Sequence, residues 1–314
     1  MSGLLRDKLP ALKFGWKISA SDVLGLDIGN VYYVIPSTKA FLATFLSDYQ
    51  CTYSDGSVSV HTDTGSGDGI ISAIAACKGG RNDYVFVLTG NYNLTVALTL
   101  AGKSSVHLVG VNGGGYEVGT MGAAALTQTG NFANLIMSPY SEVTGFQFIN
   151  KAGYSAITIA DGIWRCNIHH NYFHMVQGAA ANIIYAAGSG NTAGTISNNR
   201  FMTWVGGAIT SAINTYGATA EIIEKNYISN MSGTMDCAIN CGAAAQMIVK
   251  DNVISDCGGA GTITLGVEMG SASNCAIGNR FALPSGSAFN SGTANRTFVD
   301  NRDAQAGGAT PVET

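Results

Sequence analysis

The sequence is poor in charge. Only 11% of its 314 residues are Asp, Glu, Lys or Arg. The net charge of −4 supplies no basic field of the kind that holds nucleic acid. Proline is scarce too: five occur, none between Pro139 and Pro284, so that stretch is free to pair as strands without interruption. Long apolar runs are missing. The uncharged stretch Val118 to Ser141 is broken by Gly, Thr, Gln and Asn, which excludes a membrane span. The first residues, Met1-Ser-Gly-Leu-Leu-Arg6, lack the apolar core of a secretory leader. Seven cysteines form an odd set without Cys-x-x-Cys spacing, Cys237 and Cys241 being the nearest pair. They read as buried thiols of a protein folded in a reducing cytosol.

What is abundant is glycine, with 41 residues, and one short phrase. The phrase recurs as Ile168-His-His-Asn171-Tyr-Phe173, Ile196-Ser-Asn-Asn199-Arg-Phe201, Ile223-Glu-Lys-Asn226-Tyr-Ile228, Val249-Lys-Asp-Asn252-Val-Ile254 and Ala276-Ile-Gly-Asn279-Arg-Phe281. An imperfect copy follows at Phe298-Val-Asp-Asn301-Arg-Asp303. The asparagines are separated by 28, 27, 26, 27 and 22 residues, a period that marks a repeat architecture. A unit of this length cannot bury its own apolar face and must stack on its neighbours. Between phrases lie further apolar clusters, such as Ala156-Ile-Thr-Ile159 and Ile263-Thr-Leu265, so each unit holds two or three short strands joined by Gly, Ser and Asn turns. No useful helical period appears, against leucine-rich or ankyrin repeats. The asparagine is expected at one fixed corner of every coil. There Asn tolerates left-handed backbone and its amide can bond its stacked equivalents.

On these residues the chain, over about 83–303, resembles right-handed parallel β-helix proteins of the pectate-lyase and phage-tailspike type. The resemblance implies an all-β right-handed parallel solenoid, and proteins of this kind in viruses are commonly trimers. It carries no single activity, because the architecture hosts lyases, hydrolases and inert structural proteins.

Three regions are expected. Residues 1–62 form an irregular arm and attachment region. Within it, Arg6, Lys8, Lys13 and Lys17 oppose the single acid Asp7, and with Phe14 and Trp16 they make a mixed basic and apolar arm suited to docking on a particle. Val31–Ile35 is a strand candidate ended by Pro36, and Lys39–Asp48 a short helix. Residues 63–303 form the β-helix, entered through a capping helix over about Gly69–Lys78, with Asp68 as N-cap. A Gly-, Ala- and Thr-rich loop is expected from Gly113 to about Gly130. Residues 304–314 are a polar tail.

Cleavage of a polysaccharide by a glycosidase needs two carboxylates about 5–9 Å apart. Aligning the coils on the asparagine puts Glu224 beside Lys250 and Lys225 beside Asp251, which are surface ion pairs rather than catalytic dyads. The remaining acids stand singly. Asp161, near Trp164 and Arg165, with Glu221 and Asp236, are the weak catalytic candidates. His169, His170 and His174 lack the Glu and the helix of a zincin, so no metal is expected. Gly65-Ser-Gly-Asp-Gly69 lacks the lysine and third required glycine of a phosphate loop, and Asp63 and Asp68 flank it without the spacing of a calcium loop, which leaves calcium a weak candidate there. No cofactor is expected.

The function this supports is a phage virion structural protein, a capsid decoration (cement) or spike subunit assembled in the host bacterial cytoplasm. Its expected partners are itself, as a homotrimer, and other virion proteins such as the major capsid protein. The alternatives are a tailspike-like depolymerase and a carbohydrate adhesin. Either would meet bacterial surface polysaccharide, the adhesin through Trp164, Tyr172, Trp204 and Tyr216.

Overall fold

Each coil has three short strands, and equivalent strands of successive coils pair in parallel. The computed structural model describes residues 29–39, 59–111, 124–150, 153–175, 182–186, 188, 190, 191, 193–203, 208–256, 260–283, 288–292 and 297–303. Three sheets result, of 11, nine and eight strands, here sheets A, B and C. From Asp83 onward the chain visits A, then B, then C, and returns to A one coil further along. The protein is thus a parallel β-solenoid. No helix among the described residues is long and apolar enough to cross a membrane.

The register matches the repeated phrase. Ile168 pairs with Ile196, Ile196 with Ile223, Ile223 with Val249 and Val249 with Ala276. These side chains point inward and are buried. On sheet B, Phe148, Phe173 and Phe201 stack coil on coil, with ring centroids 5.0 and 4.7 Å apart and planes 11° and 9° from parallel. Identical neighbours one strand spacing apart favour such stacks, and each ring buries a large apolar area.

The asparagines occupy the corner between sheets A and B, and they are buried. From Asn199 onward, each Oδ1 accepts two hydrogen bonds from the asparagine one coil earlier. Asn226 Oδ1 accepts from Asn199 N and Asn199 Nδ2, both at 3.1 Å. Asn252 Oδ1 accepts likewise from Asn226, and Asn279 Oδ1 from Asn252, all at 3.0 Å. The Nδ2 group also donates to a strand carbonyl of the preceding coil: Ile168 for Asn199, Ile196 for Asn226, Ile223 for Asn252. The ladder runs from Asn171 to Asn301. It starts at Phe146, whose backbone N–H donates to Asn171 Oδ1 at 3.1 Å.

One expectation is displaced by one residue. The left-handed corner is not the asparagine but the residue before it: His170, Asn198, Lys225, Asp251, Gly278 and Asp300 all have φ between 53° and 66°. The turn is made there so that the asparagine can point inward.

The N-terminal coils depart from the expected order. Strand β1 (Val31–Pro36) lies between β2 (Ser59–Asp63) and β3 (Asp83–Val87) in sheet A, so β2 is the outermost strand. β1 is the strand expected at Val31–Ile35, and with β2 it extends sheet A. The helix α1 (Asp68–Ala76) packs Ile70, Ala73 and Ile74 into the apolar core. Its N-cap is Gly67, at φ 83° and with no side-chain cap, not Asp68. The capping charge comes from Asp63. It is fully buried, with Oδ1 accepting Gly65 N and Gly67 N at 2.7 and 3.2 Å and Oδ2 accepting Gly69 N at 2.9 Å. An anion among the free N–H groups of a helix start is favoured by both hydrogen bonding and the dipole. The stretch expected as loop to Gly130 contains a fully buried strand, Ala124–Gln128, one strand in from the N-terminal edge of sheet B. The basic arm residues Arg6, Lys8, Lys13, Phe14, Trp16 and Lys17, the helix expected beyond Lys39, and the 304–314 tail lie outside the described residues.

Adjacent residues of one phrase should respond oppositely to substitution. Asn226→Ala strands the amide of Asn199, the carbonyl of Ile196 and Asn252 Oδ1 in a dry corner, and should cost ~3 kcal/mol or more in urea unfolding. Lys225→Asn places a residue suited to left-handed backbone, and should leave stability unchanged or raise it by up to ~1 kcal/mol. Equal losses for both would contradict the ladder.

Candidate functional site

The three candidate acids are not brought together. Asp161 is exposed at a turn from sheet C to sheet A, and its Oδ1 accepts the backbone N–H of Gly190 at 2.9 Å. It fastens the next coil rather than facing a substrate. Neighbouring Arg165 turns its guanidinium over the Tyr140 ring at 5.8 Å. Glu221 lies two coils further on, roughly 10 Å along the axis, and points inward with 3% exposure. Asp236 is exposed on a sheet C strand, Ser232–Cys241. Of the expected ion pairs, Glu224 and Lys250 meet at 2.9 Å. Lys225 and Asp251 sit on adjacent corners without forming one.

Glu221 sits before a sheet A strand, at the position taken by Cys166 two coils earlier and by Gly194 one coil earlier. A Cβ on Gly194 would come within 3.3 Å of Glu221 Oε1, so the glycine makes room for the carboxyl. Glu221 Oε2 is buried without a partner, and burial pushes the carboxyl up to about 7. Its niche between sheets C and A favours the neutral form of the acid. Burial likewise pushes the thiols of Cys77, Cys166 and Cys241 up to about 12, too high for a nucleophile at neutral pH.

The glycine-rich stretch Asp63–Asp68 is filled from within. Its backbone N–H groups already serve the carboxylate of Asp63, and Asp68 accepts from Thr64 N at 2.9 Å. Those amides are committed and not directed at an outside anion.

The side chains that do gather lie on the outer face of sheet A and at its corner with sheet B. Glu142 joins two histidines, Oε2 accepting from His107 Nδ1 at 2.6 Å and Oε1 from His169 Nε2 at 2.5 Å. The bonds to His107 and then His169 hold the Glu142 carboxyl down at about 2. The far nitrogen of His169, Nδ1, lies 2.8 Å from His170 Nδ1. On the other side His107 stacks on Tyr84 at 4.3 Å, and Tyr84 and Tyr33 both stack on Phe86. Glu142 thus stays ionised and orients imidazoles; it is no general acid. Among the described residues no group of three or more His, Cys, Asp or Glu is placed to hold a metal ion.

His170 forms one lip of a groove of about 390 Å³, lined by His170, Asn198, Asn199, Arg200, Lys225 and Tyr227. Its ridge is the left-handed corner of three successive coils. Its other wall is the first sheet B position, where Arg200 pairs in register between Tyr172 and Tyr227. The Arg200 guanidinium lies 5.4 Å from the centre of the Tyr227 ring, and its Nε is buried without a hydrogen-bond partner.

Sequence reasoning missed both features. Glu142 belongs to a coil with Gly145 and Phe146 in place of the left-handed polar residue and the asparagine, so it falls outside the repeat. The groove needed a second column, one residue after the asparagine: Tyr172, Arg200, Tyr227. No family model, curated protein or solved structure matches the chain.

The buried acid gives a pH test. The unfolded chain releases the Glu221 proton near the ordinary value of 4.5 while the folded chain keeps it until about 7. Stability therefore falls as pH rises across that window, by roughly 3 kcal/mol in the limit. Glu221→Gln should match the parent at pH 4 and exceed it at pH 8 by up to that amount in denaturant midpoints. Parallel pH profiles for the two would show that Glu221 is ionised when folded.

Proposed function

We propose that the protein is a structural subunit of a phage virion, a decoration or spike protein built as a right-handed solenoid and assembled as a homotrimer. The observation that carries this reading is an apolar outer face at the C-terminal end of sheet A. Ile248, Ile277 and Val299 are exposed there by 37%, 36% and 42%. They fall in two outward columns two residues apart, Ile222, Ile248 and Cys275 in one, and Ile277 and Val299 in the other, which continues the Glu224–Lys250 pair. Exposed aliphatic side chains on neighbouring strands of a chain with 11% charge suit burial between subunits more than exposure to water. A right-handed coil follows the rule for parallel strands joined by a crossover. Helix α1, against β1, β2 and β3, is read as the cap of the first coils. The basic arm is read as the attachment to other virion proteins such as the major capsid protein.

A second reading, adhesion to bacterial surface polysaccharide, is favoured by Trp164 and Tyr216. Both are on turns between sheets C and A and more than half exposed. Tyr172 counts against it, being buried with its hydroxyl donating to Met202 Sδ at 3.4 Å. Trp204 lies outside the described residues. Cleavage at Asp161, Glu221 and Asp236 is disfavoured by their separation.

Light scattering tests the proposal. The full chain should have three times the 32.4 kDa protomer mass, and a Ile248→Lys, Ile277→Lys double variant should fall to the protomer mass with its melting temperature measured in parallel. A parent chain that is monomeric, or a variant that stays trimeric, would overturn assembly through this face.

A further inference from the structure

We propose that the groove between the left-handed ridge and the Arg200 column is a binding site for a small oxyanion, a carboxylate or phosphate group, held by Arg200 and Lys225. Every polar side chain that opens onto it other than the ladder residue Asn199 can donate a hydrogen bond: His170, Asn198, Arg200, Lys225 and Tyr227. None of the lining residues is a carboxylate. Asn199 forms the floor, with its amide spent on Ile168 O and on the ladder, so it stiffens the site without competing for the ligand.

Two cations line one groove, and neither is ion-paired, although Asp251 stands on the next corner beyond Lys225. Arg200 and Lys225 are one coil apart, Arg200 on the wall and Lys225 exposed on the ridge. Neither is in an ion pair, whereas the next lysine along, Lys250, is bound to Glu224. Arg200 cannot relax away. Its backbone N–H donates to Asn171 O at 2.9 Å, its guanidinium lies over Tyr227, and its buried Nε has no partner within the chain. A buried guanidinium nitrogen left without an acceptor is costly, and an oxyanion reaching into the groove would supply one with the geometry a guanidinium favours. The histidine–glutamate chain bears on the same spot. Glu142 binds His169, and His169 lies 2.8 Å from His170 at the lip, so the His170 imidazole is also positioned before any ligand arrives. The ridge is rigid for a separate reason, since its three residues are successive left-handed corners tied coil to coil by backbone hydrogen bonds. The site thus rests on the ladder and does not depend on the oligomeric state or on the virion reading.

Calorimetric titration of the full chain with inorganic phosphate, glucuronate and glucose at low salt tests this. Saturable binding of phosphate and glucuronate but not glucose is expected. Binding of glucuronate without phosphate would assign the oxyanion to a sugar acid, and binding of phosphate without glucuronate to a phosphate group; both keep the proposal. Affinity should drop about tenfold in Arg200→Gln, and severalfold in Lys225→Asn and at high salt. Lys225→Asn is the safeguard against misfolding, because Asn suits that backbone and its melting temperature should not fall. The site would be overturned by no saturable binding of either anion, by equal binding of glucose, or by unchanged affinity in folded Lys225→Asn and Arg200→Gln.

Discussion

A buried amide column constrains everything else in this protein. Each asparagine offers one acceptor to the coil before it and donors both to that coil's strand carbonyl and to the next asparagine's oxygen. No other short side chain carries both groups. Aspartate lacks the donor, serine the reach, and glutamine would not fit the close-packed corner. Once the amide must point inward, the preceding residue has to make the turn, which explains why His, Lys and Asp accept a left-handed backbone there. The ladder fixes the axial register, and the register stacks the apolar positions and the phenylalanine rings.

The same register creates the surface chemistry. A residue at a given place in the phrase meets its equivalents roughly 4.8 Å away in the coils on either side. Columns of unlike residues therefore become local sites. The ridge changes from His170, Asn198 and Lys225 to Asp251 and Asp300 along one corner, so the groove is cationic at one end of the column only. Sheet A changes in the same way, from the stacked aromatic and histidine strip at its N-terminal end to the Glu224–Lys250 pair and exposed aliphatic side chains at the other.

Much of this was legible in the residues. The period of the phrase gave the parallel coils, the corner column and the pairing of Glu224 with Lys250, because those depend on spacing. What escaped depended on contacts that no spacing encodes. Asp63 replaces Asp68 as the anion at the helix start because the chain folds back and the buried carboxylate meets more amides than the exposed one. Ala124–Gln128 is a strand because two neighbours flank it in sheet B, although its alanines and glutamine do not favour one. Glu221 looked like a free acid, yet Gly194 in the adjacent coil gives it a buried niche. Arg200 and Lys225 belong to different columns, and only the corner geometry makes them neighbours.

Amide hydrogen exchange read residue by residue tests the ladder most directly. The backbone N–H groups of Asn199, Asn226 and Asn252, each donating to the next asparagine's Oδ1, should exchange only through global unfolding and with one common protection. Fast or unequal exchange at these three, in a chain whose flanking strand amides remain protected, would mean that the asparagines do not hold the coils together.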